Sequence, residues 1–135
     1  MATLNKTNAF MADLANGVHN LATATVTVAL SNTAPVATNS VLADLVQISY
    51  TGLSSRALTT TSSTQTGGTY SFVASDLVLS ATATVGPFRY AALFNDSATS
   101  KNLMGWVDLG SVITLNNGES LTLDFDNVNG IFSLA

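Results

Sequence analysis

"GPFRYAALFND", residues 86–96, is the stretch on which the reading of this chain turns. Written as a β-strand, it places Phe88, Tyr90, Ala92 and Phe94 on one face and Arg89, Ala91 and Leu93 on the other. A strand at the surface of a small antiparallel sheet keeps one face for water. Here a single arginine is all the second face offers. Two covers are open: the strand is central, with an N-terminal helix over it, or Arg89, Ala91 and Leu93 form a subunit-contact face buried by another chain. Pro87 has no N–H for a ladder, so the strand is expected to begin just after it.

On the N-terminal side the period changes twice. Residues 3–16, "TLNKTNAFMADLAN", carry apolar residues at helical spacing and stop at Gly17, with Asn5 or Thr7 as N-cap. Phe10, Met11 and Leu14 are the candidate contacts of this helix, either with the body of the domain or with a neighbouring subunit. "ATATVTVAL" (22–30) alternates strictly and predicts a strand whose threonine face meets water. "VLADL" (41–45) fits one helical turn and "VQISYT" (46–51) a further strand. The threonine-rich run that follows predicts a hairpin turning at Gly67–Gly68. Residues 69–85 read as one or two strands with a change of phase near Ser75–Asp76.

Beyond "DSATSKN" lie a strand at "LMGWVDLG" (103–110), a hairpin from "SVITL" through "NNG" to "ESLTLDF" with Leu121, Leu123 and Phe125 inward, and a closing strand "GIFSLA". The whole predicts a mainly β single domain over 1–135: one N-terminal α-helix within 1–20, and an antiparallel β-sandwich, jelly-roll-like or immunoglobulin-like, over 21–135.

Charge is the unusual quantity. Only 12 of 135 residues are Lys, Arg, Asp or Glu, 9% against about 25% in ordinary domains. With 47% hydrophobic residues the chain nevertheless folds. Its solubility rests on 46 Ser, Thr and Asn residues, an uncharged surface that repels neighbours weakly and suits close packing of subunits. Lys6, Arg56, Arg89 and Lys101 stand singly, which argues against nucleic acid. No run is long and apolar enough for a membrane helix and the N-terminus lacks a signal-peptide pattern, so synthesis in a cytoplasm is expected.

Chemistry is sparse. There is no cysteine, and His19, the one histidine, has no partner implied by spacing; it reads as a cap or surface residue. "DFDNVNG" (124–130) departs from a calcium loop and reads as a strand-ending turn. Asp108, Glu119, Asp124 and Asp126 supply carboxylates but no spacing selects a pair. Trp106 with Tyr50, Tyr70 and Tyr90 could form a sugar platform, though core positions are the commoner use; Trp106 is expected to be buried with its indole N–H on a carbonyl. No enzyme, metal or cofactor is expected.

The segments "MATLNKTNAFMADLANGVHNL", "TVALSNTAPVATNSVLADLVQISYTG" and "VGPFRYAALFNDSATSKNLMGWVDLG" resemble small structural proteins of tailed bacteriophages. The resemblance spans nearly the whole chain and carries no catalytic or ligand-binding residues. It implies a virion component. The expected role is a capsid decoration (cement) protein on the outer face of the head, contacting the major capsid protein and itself, as a homotrimer. The alternative is a tail, collar or head-fibre component that binds a host receptor or glycan.

Overall fold

In the computed structural model, which describes residues 4–134, the chain is mainly β with one short helix. Strand β6 (Val85–Asn95) sits between β7 (Leu103–Leu115) and β2 (Val26–Ser31), and β1 (Asn5–Lys6) completes this four-stranded antiparallel sheet outside β7. The opposing layer is divided. One part is the sheet β3 (Thr60–Thr66), β4 (Thr69–Ala74) and β9 (Phe132–Leu134); the other is the pair β5 (Leu77–Ser80) and β8 (Ser120–Leu123). Inward side chains of both layers, among them Leu30, Phe72, Leu79, Phe88, Leu93 and Leu123, join one core. This is a β-sandwich arrangement.

Both faces of β6 are covered by its own chain. Phe88, Ala91 and Leu93 enter the main core, while Ala92 and Phe94 form a second cluster with Ala29 and Leu103 under Leu42, Leu45 and Trp106. The faces are not simple odd and even sets. Tyr90 lies opposite Asp108 but Phe88 lies opposite Ile113, so Leu109–Val112 bulge outward against the single residue Arg89. Phe88, with a register break on each side of it, is out of phase with the strand beyond and enters the same core as Ala91 and Leu93. Ala91 and Leu93 are 4% and 2% exposed, so as a subunit-contact face they are corrected to core; only Arg89 reaches the surface. The second cover is the 3₁₀ turn Leu42–Asp44 with its flanks, closed by the Asp44 carboxylate accepting from Ser40 and Val41 N–H.

The helix α1 (Asn8–Ala15) is shorter than its apolar pattern. Thr7 is its N-cap and Gly17 (φ +78°) follows its end. Residues 5–6 leave the helical pattern to pair with Trp106 and Gly105 of β7. Phe10 is fully buried, edge-on to Phe132 at 5.1 Å, and Phe132 stacks on Phe72 at 5.5 Å. Leu14 packs against the same core and Met11 stays half exposed. So the helix plugs one end of the sandwich through Phe10 and does not cover β6.

Four further expectations change. The strand expected over 22–30 begins only at Val26: Thr23 and Thr25 stay exposed ahead of it, while Thr27, the one threonine inside β2, is buried with the rest of the strand. Residues 46–51 form no strand. They run beside β2 and satisfy its open edge irregularly: Ile48 N–H donates to Leu30 O at 3.1 Å, Leu30 N–H donates to the Tyr50 hydroxyl at 2.9 Å, and Val28 N–H donates to Arg56 O at 2.9 Å. A side-chain hydroxyl takes the place of a ladder carbonyl, which alternation alone does not reveal. Finally, "SVITL" continues β7, and after the turn at 116–119 the chain crosses layers, so β8 pairs with β5 and not with β7. β6 also begins two residues before Pro87, which lies inside a register break where no ladder donor is required. The hairpin at Gly67–Gly68, the break at Ser75–Asp76 and the final strand stand where the sequence places them.

Gly105 is where β1 crosses β7 most closely: a Cβ there would run into the Asn5 carbonyl oxygen and the Leu4 side chain. Gly105→Ala is expected to cost about 1–3 kcal/mol through the forced shift of β1, read as a lower urea midpoint at unchanged slope.

Candidate functional site

Along the seam between the two layers, β7 and β8 line a common cleft. A cleft of about 270 Å³ opens there, lined by Ala91 and Leu93 at its floor, Leu109 and Ile113 from β7, and Leu121 and Leu123 from β8. Asp108 and Asp124 are its carboxylates. Arg89 donates from Nε and Nη2 to the two oxygens of Asp108 at 2.9 and 3.1 Å, and Gly110 N–H donates to Asp108 Oδ1 at 2.8 Å. The guanidinium first, then the Gly110 N–H, hold the Asp108 carboxyl below the usual carboxylate range. A clamped, ionised carboxylate is a poor proton donor, so the pairing of Asp108 with Asp124 along one cleft does not amount to an acid–base set. With both partners more than a third exposed, the ion pair itself adds little to stability.

His19 is not a surface cap; it is 6% exposed. Its ring rests 5.5 Å from Phe10, and Asn95, itself buried and bound to Val18 O, donates to Nδ1 at 3.1 Å. This places the ring proton on Nε2, which has no hydrogen-bond partner among the described residues and stands 3.9 Å from Asp13 Oδ2. Asp13 already accepts from Asn102 Nδ2. The node ties α1 to the ends of β6 and β7, and among the described residues no cluster of three potential metal ligands occurs.

The aromatic residues are not brought together as a platform. Trp106 packs over the second cluster, whereas Tyr50 and Tyr70 pack against the main core. Trp106 is half-buried and its indole N–H has no acceptor among the described residues, unlike the buried, paired indole expected. All four basic side chains are engaged within the chain. Arg56 lies 3.5 Å over the Tyr50 ring, Lys101 pairs with Asp96 at 2.7 Å, Arg89 holds Asp108, and Lys6 reaches Ser133 O at 3.5 Å. The turn at 124–130 consumes Asp126, whose carboxylate accepts from Val128 and Asn129 N–H. The seam was not legible from spacing, because it exists only where β8 leaves β7 for the other layer. No protein-family model, curated protein or solved structure matches this chain.

Burial lowers the His19 pKa from its ordinary value, opposed by the nearby Asp13 carboxylate. The unfolded chain therefore binds a proton at higher pH than the folded one, and stability rises with pH across that window. The stabilising contribution is complete above about pH 6.5, the unfolded value, and shrinks as the solution is acidified below it. Thermal melts between pH 7.5 and 5.5 are expected to show a falling Tm in the natural chain and a much flatter profile in His19→Gln.

Proposed function

We propose that this chain is a non-catalytic building block of a tailed-bacteriophage virion. Its role is that of a decoration (cement) protein on the outer face of the head, held by contacts with the major capsid protein and with further copies of itself. It is made in the host cytoplasm and resides in the particle. The observation that carries this reading is the surface: few ionised groups, every cation already engaged by its own chain, and large aliphatic residues such as Val46, Val112 and Val128 standing 65%, 57% and 80% exposed. Such a surface carries little electrostatic repulsion toward a close neighbour. The resemblance of nearly the whole sequence to small phage structural proteins gives that neighbour its setting.

Candidate contacts are redistributed accordingly. Arg89 and Met11 remain accessible, whereas Ala91, Leu93 and Phe10 are committed to the core and Leu14 packs against it. Seating many copies on a symmetric shell multiplies individually weak contacts, so modest patches suffice. Quantitative mass spectrometry of purified particles tests the role. A copy number comparable to that of the shell protein is expected; the few copies of a tail or collar ring, or absence from the particle, would overturn it.

A further inference from the structure

Asn95 is a buried amide whose orientation is fixed from two sides. Its Oδ1 accepts from Ser97 N–H at 3.0 Å, and its Nδ2 donates to Val18 O at 3.3 Å. Turned over, the amide would set donor against donor at Ser97 and acceptor against acceptor at Val18. Nδ2 therefore also faces His19 Nδ1, 3.1 Å away, as a donor, and that ring nitrogen can only accept. The main chain of Asn95 is committed elsewhere: its N–H donates to Asn102 O, and it pairs with Val26 in the sheet. The side chain alone fastens residues 18–19 to the end of β6.

A second proton on the ring has no place in this arrangement. The neutral ring carries its proton on Nε2, so charging it puts a hydrogen on Nδ1, against the Asn95 amide hydrogens. The amide cannot turn to receive it without losing both Ser97 and Val18, and a buried donor left unpaired is costly. The other groups around the ring offer no remedy. From α1, Phe10 presents an apolar ring and Asp13 a carboxylate 3.9 Å from Nε2. Asp13, itself bound by Asn102, attracts a charged ring from the Nε2 side and so draws it away from Asn95. Beside Asn95, Asp96 is paired with Lys101. From β3 and β4, Ser63 and Tyr70 line the groove next to His19. Their hydroxyls bond each other at 2.7 Å, and burial holds the Tyr70 phenol above its ordinary value, so it stays neutral in the acid range.

We infer that His19 and Asn95 form a proton-operated latch: charging the ring unfastens residues 16–19, at the end of α1, from β6 while the sheet stays paired. The depressed His19 pKa agrees with this, but the latch follows from the hydrogen-bond pattern. It is a property of the isolated chain and does not depend on the virion reading.

Linkage sets the size of the effect. When only the opened segment binds the extra proton, at the ordinary histidine value, its opening equilibrium rises about tenfold between pH 7.5 and 5.5. Native-state hydrogen exchange, corrected for intrinsic rates, reads this at the Asn16, Gly17 and Val18 amides, which are bonded to Ala12, Leu14 and Asp13 carbonyls. They are expected to open about tenfold more often at pH 5.5 with little dependence on low urea, the mark of a local event, while β6 amides keep the steep urea dependence of global unfolding. His19→Gln keeps an acceptor toward Asn95 and should open equally at both pH values. Asn95→Asp offers Nδ1–H an acceptor and should reverse the sign, opening less at pH 5.5. Because that variant also leaves Val18 O without its donor, 15N NMR of the ring in the natural chain is a second reading: the Nε2–H tautomer is expected at pH 7.5. An Nδ1–H tautomer would overturn the latch. So would amides at 16–18 that open only together with β6, or an unaltered sign in folded Asn95→Asp.

Discussion

Phe88, Ala91 and Leu93 on one side of β6, and Ala92 and Phe94 on the other, are all withdrawn from water by the chain that carries them. A strand with two apolar faces must be central, and a chain of this length has to find both covers. The first is the divided second layer. The second is small: one 3₁₀ turn carrying Leu42 and Leu45, with Trp106 beside it. Much of the irregular structure between β2 and β3 follows from that need, because the same segment that carries the outer cover then runs back along β2 and satisfies its edge with Ile48, Tyr50 and Arg56. Buried main-chain groups must find partners, and here a phenol hydroxyl and a loop carbonyl supply them.

Local chemistry was legible in the sequence wherever a turn or a break had a residue-level cause. The glycine pair at 67–68, the break at Ser75–Asp76 and the single helical turn near Leu42 are of this kind. What periodicity could not supply was the partner of each strand. β8 follows β7 through a tight turn, the usual mark of a hairpin, yet it joins β5 because the chain changes layer there. Period-2 reasoning also assumes an unbroken strand; Phe88 stands between two register breaks and joins the core out of phase, while Ala91 and Leu93 are buried because the second layer covers their face. His19 is the clearest case at a candidate site. Its burial depends on Phe10 and Asn95, which are distant in sequence and converge only in the fold.

These corrections move the surface available for association without removing the reason to expect it. The suspect face of β6 is occupied from within, while the chain remains poor in charge and each basic side chain is spent on an internal contact. What stays open is an edge. Natural sheets commonly guard a long edge with charge, proline or a bulge. β7 has the bulge at Gly110 but lacks lysine and proline from 107 to 115, and Asp108, its one charge, is neutralised by Arg89.

β6, apolar on both faces, is complete within one chain. Amide hydrogen exchange followed as a function of protein concentration tests this directly. Strong protection of β6 amides at every concentration is predicted. Amides of β6 that exchange freely in dilute solution and become protected on association would contradict it.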